Sequence, residues 1–159
     1  MHDRHRVAAR AAGTLAALTL ALTSLNSATA QTPATPSPKE VLFLSAAQLA
    51  KDEARTLGMA ATYSYQTIIR DKNGEIEIHD DRNDIIVVQE GRAEVQLGGT
   101  VVGNRVTAPG EHRGGTATGY RSQTLAPGDL LYIPAGMPHL INLENGTKRF
   151  RYLVVKTQP

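Results

Sequence analysis

The chain contains no cysteine. Disulfide scaffolds, thiolate metal sites, cysteine nucleophiles and thiol-linked lipids are therefore excluded. Histidine is scarce too, and only His79, His112 and His139 lie beyond residue 30. Any protein metal site there must be built from these three imidazoles and from carboxylates. The chain has no adjacent Arg-Arg pair, so nothing points to the twin-arginine route. Long helical patterns and repeats of fixed solenoid period are also missing, which argues against layered α/β folds and solenoids.

What is present begins with a targeting pattern. Arg4, Arg6 and Arg10 precede an apolar run over residues 15–25, and Ala28-Thr29-Ala30 supplies the small residues read by signal peptidase. The run is about 11 residues, against the roughly 20 that a spanning helix needs. Residues 1–30 are thus expected to be a signal peptide, with an uncleaved membrane anchor as the alternative. Those residues carry three of the 17 basic and one of the 15 acidic side chains, leaving fourteen of each in residues 31–159. A net charge of zero gives no electrostatic footprint for nucleic acid or anionic lipid. The expected product is secreted or periplasmic, does not bind the membrane after cleavage, and has a small molecule or a second copy of itself as partner.

Residues 31–40, rich in Pro and Thr, read as an extended linker. Ser45 and Gln48 have capping-box spacing. Helix formers then run over residues 46–57 to Gly58, so a short helix packed on a larger body is expected within 41–58. From residue 59 to 157 the pattern becomes short β segments. Residues 62–71 and 75–79 flank Lys72-Asn73-Gly74, a hairpin signal. Further strands are expected at 85–89, 93–97, 100–106, 120–125, 130–133, 139–143 and 148–156, with an irregular stretch over 107–119. About nine short strands with closely spaced turns predict an antiparallel sandwich or barrel.

Two clusters carry a family resemblance. Gly128, five residues, Pro134-Ala135-Gly136, two residues and His139 resemble the second motif of the cupin superfamily, with Leu143 where that motif ends in Asn. The first motif is degenerate. His79, four residues, Asp84, six residues and Gly91 keep its spacing, but Glu77 stands at its first His position and Asp71 at its leading Gly. The resemblance covers roughly residues 62–156. It implies an all-β, double-stranded β-helix (a jelly-roll barrel) with one short N-terminal helix. It also implies a metal site of Glu77, His79, Asp84 and His139. Two imidazoles and up to two carboxylates suit Fe, Mn, Ni or Zn with positions open to substrate.

The residues leave alternatives beside that reading. Glu77 shares a strand face with His79 and could orient it instead of binding metal. Asp84 could be a solvated turn residue after Asp80-Asp81-Arg82-Asn83. That acidic run lacks the order of an EF-hand calcium loop. Glu111, His112, Arg113, Tyr120 and Arg121 sit in or beside a glycine-rich loop, where they could touch substrate or simply be exposed. Tyr63, Tyr65, Phe150 and Tyr152 alternate in the first and last long strands and are expected to pack. Homodimerisation through sheet edges is a further expectation, since cupins often pair. The resemblance implies a metal-assisted enzyme acting on a small oxygenated molecule, of dioxygenase, isomerase or lyase type. A non-catalytic binding module and a metal-free structural barrel are the alternatives.

Overall fold

The computed structural model describes residues 41–51 and 53–159. The signal peptide and linker expected over residues 1–40 lie outside the described residues. One turn of helix, α1 (Ala46–Leu49), is followed by β1 (Arg55–Met59), β2 (Tyr63–Arg70), β3 (Glu77–His79) and β4 (Asn83–Glu90). Then come β5 (Ala93–Leu97), β6 (Thr100–Val102), β7 (Arg105–Ala108), β8 (Glu111–Arg113) and β9 (Thr116–Thr118). The chain closes with β10 (Arg121–Leu125), β11 (Leu130–Ile133), β12 (His139–Leu143) and β13 (Phe150–Thr157).

A five-stranded sheet runs in the order β1-β2-β13-β4-β11, and a six-stranded sheet in the order β10-β5-β12-β3-β8-β7. All pairings are antiparallel, and β6 and β9 form a separate two-stranded ribbon. Alternating residues from both large sheets make one core. Ile86, Val88, Phe150, Tyr152 and Val154 come from the first sheet, and Ala93, Val95, Leu97 and Ile141 from the second. Period-two alternation on facing sheets is what makes the expected jelly roll, and the structure is one.

Four local expectations are corrected. The helix is four residues long, although its capping box forms as expected: Ser45 caps Gln48 N and the Gln48 side chain accepts from Ser45 N. Residues 55–59 are instead an edge strand paired with β2, and Leu57 is buried. Sheet pairing and burial there override helix propensity. Gly58 does not end a helix; its missing Cβ leaves room for the ring of Tyr65.

The hairpin expected around Lys72-Asn73-Gly74 does not form, because β2 and β3 belong to different sheets. The Asn-Gly segment docks on β12 instead, through Gly74 N to Ile141 O at 3.0 Å and Leu143 N to Asn73 Oδ1 at 2.9 Å. The single strand expected at 100–106 is broken into β6 and β7. The stretch expected to be irregular at 107–119 holds β8 and β9, short strands between glycines of positive φ.

Tyr152 and Phe150 are core residues as expected, with ring centroids 5.3 Å apart. Tyr63 and Tyr65 stack on each other at 6.2 Å on the opposite face of the same sheet.

Two motif glycines differ in what they protect. Gly91 has φ +77°, and a Cβ there would run into the carbonyl oxygen of Arg149. Gly128 has φ +94° but open space around it. Gly128→Ala should therefore cost only the left-handed strain of about 1–2 kcal/mol. Gly91→Ala should cost clearly more, and paired urea titrations will measure the difference.

Candidate metal centre

The centre is assembled from strand register. On β3, Glu77 and His79 are two apart and share the inner face. β12 lies beside β3 with His139 directly opposite Glu77. From the other sheet, β4 presents Asp84 and β13 presents Lys156, which are cross-strand partners. On the other side of β3, β8 sets Glu111 opposite His79 and Arg113 opposite Glu77. Seven side chains from five strands thus converge at one end of the core.

The two imidazoles are 3% and 4% exposed, with ring centroids 5.2 Å apart. His79 Nδ1 lies 2.7 Å from Glu111 Oε2, and His139 Nδ1 lies 3.1 Å from the carbonyl oxygen of Met137. With each Nδ1–H donated outward, both Nε2 atoms face inward; that of His79 accepts from Lys156 Nζ at 2.9 Å. This is the arrangement by which a carboxylate or carbonyl orients a ligating histidine. Glu77 Oε2 is 3.6 Å from His79 Nε2 and 3.9 Å from His139 Nε2. One donor atom from each of Glu77, His79 and His139 lies within 4.8 Å of the others. Donors bound about 2.1 Å from one ion stand roughly 3–4 Å apart, so this trio could hold a divalent metal.

Glu77 is fixed through its other oxygen. Arg70 Nη2 donates to Oε1 at 2.9 Å and Arg113 Nη1 also reaches it, while Arg70 Nε donates to the Tyr152 hydroxyl at 3.1 Å. Burial alone would raise the Glu77 pKa, but the two guanidiniums more than offset it and hold the carboxyl below its ordinary value. Burial likewise opposes ionisation of Asp84, and His79 and Lys156 reverse that, again lowering the pKa. Burial disfavours charge on both imidazoles. For His139 it prevails and the pKa falls, whereas for His79 the neighbouring Asp84 and Glu111 carboxylates hold it above the usual value.

The structure therefore brings together Glu77, His79, His139 and Asp84. Asp84 is no solvated turn residue, being 5% exposed at the start of β4. Its Oδ2 lies 3.6 Å and 3.8 Å from the two Nε2 atoms, but Lys156 Nζ holds its oxygens at 2.7 and 2.9 Å. Arg113 lines the cavity. His112, Tyr120 and Arg121 do not reach the site. His112 alternates to the opposite face of β8 and bonds Asp80 at 3.0 Å, while Tyr120 and Arg121 are exposed. The residues that sequence reasoning missed are Arg70 and Lys156. Lys156 had a legible signal, because it continues the inward set Phe150, Tyr152, Val154.

A cavity of about 330 Å³ opens beside the centre, with Arg70, Glu77, Asp84, Arg113 and Lys156 on its polar side and Ile68 and Val154 among its apolar wall. A jelly roll with imidazoles and a carboxylate converging in its barrel defines a member of the cupin superfamily. More narrowly, the JmjC-domain profile matches residues 43–153, and the chain belongs to that family. Solved structures agree on the fold. The chain resembles BH2720 from Bacillus halodurans at 16% identity and a TM-score of 0.58, over 79% of this chain and 87% of that one. It resembles TT1209 from Thermus thermophilus at 17% identity and a TM-score of 0.50, over 73% and 96% of the two chains. No curated protein matches the chain significantly.

The lowered carboxyl pKa values fix a sign. A group with a folded pKa below its unfolded value near 4 stabilises the fold fully above that value. The contribution is lost as pH falls through the folded value. In the metal-free protein, Glu77→Gln should therefore flatten the decline of Tm with acidification below about pH 5, as read by calorimetry across a pH series.

Proposed function

We propose that this is a divalent-metal cupin that acts on a small oxygenated organic molecule in the barrel cavity. The observation that carries the reading is the orientation of the two histidines: each has its Nδ1 bonded outward, and each Nε2 faces inward within 4 Å of both Glu77 Oε2 and Asp84 Oδ2. A purely structural histidine pair has no need to turn both Nε2 atoms toward the same two carboxylates. His79, His139 and Glu77 would hold the ion, which could be Fe, Mn, Ni or Zn, and Asp84 stands near enough to complete the shell. When bound, the ion supplies Lewis acidity or oxygen chemistry. The protein's own share is to orient and exclude. Glu111 and the Met137 carbonyl fix the imidazoles, and Arg70 and Arg113 keep Glu77 ionised. Ile68 and Val154 give the substrate a dry wall, and Arg113 and Lys156 offer donors to its oxygens. Dioxygenation, isomerisation and lyase chemistry are all compatible with this arrangement.

A second reading, a metal-free barrel, is favoured by one specific contact. Lys156 Nζ sits 2.9 Å from His79 Nε2, on the lone pair that a metal would use. The exported location rests on the N-terminal sequence pattern. Pairing of two copies through a sheet edge is supported by β11, an edge strand on which Leu130 is 67% and Tyr132 55% exposed.

Elemental analysis of the purified protein should find close to one transition metal per chain, lost in both His79→Ala and His139→Ala. Glu111→Gln should weaken binding by about 10–100-fold through misorientation of His79. Product formation from a panel of small acids, diols and phenols favours the enzyme. A ligand-induced thermal shift without turnover favours the binding module. Absence of metal from the wild type under all loading conditions overturns the proposal.

A further inference from the structure

Lys156 stands among the donors of the centre, and its place is set by the sheet. It is the inward residue of β13 after Val154 and lies directly across from Asp84 on β4. Its ammonium donates to both Asp84 oxygens, at 2.7 and 2.9 Å, and approaches His79 Nε2 to 2.9 Å. The Nδ1–H tautomer of His79 satisfies both of that ring's contacts at once: Nδ1–H donates to Glu111, and Nε2 accepts from Lys156. The lysine side chain is 21% exposed and adjoins the cavity, so its flexible stem has somewhere to go.

A neutral imidazole nitrogen has one lone pair. Lys156 and a metal ion cannot both use His79 Nε2, and they also compete for Asp84. We infer that Lys156 is a resident, displaceable cation of the centre. It neutralises the buried donors before metal arrives, and it must leave His79 for the cavity before a metal can be held. This deepens the metal reading above and rests on it. The physical case is that buried Asp84 without a cation would be costly, and an ammonium on a mobile stem supplies one that can be exchanged.

Two consequences can be measured without any assay of activity. Occupancy by Lys156 leaves only a fraction of molecules competent for metal, so the apparent affinity is lowered by that fraction. Zn(II) alone, titrated calorimetrically, should bind Lys156→Met at least about tenfold more tightly than the wild type. Because Lys156→Met strands Asp84 and could fold poorly, a second measurement uses the wild-type chain. Amine-directed reductive methylation, read by peptide mass spectrometry, should modify Lys156 faster after Zn(II) is added. Equal or weaker Zn(II) affinity in a folded Lys156→Met, or a Lys156 labelling rate that Zn(II) leaves unchanged or lowers, overturns the inference while leaving the metal reading intact. Zn(II) binding to Lys156→Met but not to the wild type supports the resident cation and overturns the metal-loaded function. No Zn(II) binding to either protein overturns both.

Discussion

The centre depends on a compensation of charge inside the barrel. Glu77 is half-buried and Asp84 buried, and burial opposes the charge on both. Arg70 and Arg113 secure the first, and Lys156 with His79 secures the second. The cations are not equivalent. Arginine is a planar, permanently charged fork suited to clamping one carboxylate oxygen, whereas lysine is a point charge on a flexible stem. Glu77 is thus held in a fixed pose, with one oxygen left to face the histidines. Asp84 is held by a partner that can withdraw.

The rest of the architecture serves that compensation. Antiparallel register sets His139 opposite Glu77, His79 opposite Glu111, Glu77 opposite Arg113 and Asp84 opposite Lys156. Four cross-strand pairs therefore do the positioning, and a one-residue slip in any of these strands would turn its side chains to the other face. The apolar core packed below the centre, from Val154 and Ile86 to Ile141, keeps the two sheets in register.

The histidines and the fold were legible because their signals are local. Pro134-Ala135-Gly136 and His139 form a turn followed by a strand, and period-two alternation names the inward residues of β4, β5 and β13 directly. The helix over 46–57 was misread because helix formers at an edge strand are overruled by pairing with β2. The Asn-Gly hairpin was misread because Asn73 and Gly74 spend their hydrogen bonds on β12, a strand some seventy residues away in sequence. Glu111 stood in a stretch that looked irregular, since strands of three residues leave too short a pattern to read.

By itself, the sequence determined the absence of thiolate chemistry, the β pattern, the inward parity of Glu77, His79 and His139, and the resemblance to cupins. Only the tertiary structure decided which residues meet: that Arg70 and Arg113 share Glu77, that Glu111 orients His79, and that Lys156 lies on the lone pair a metal would take. Parity along one strand is a local property of backbone geometry. The partner across a barrel is set by sheet order and register, which depend on every strand at once.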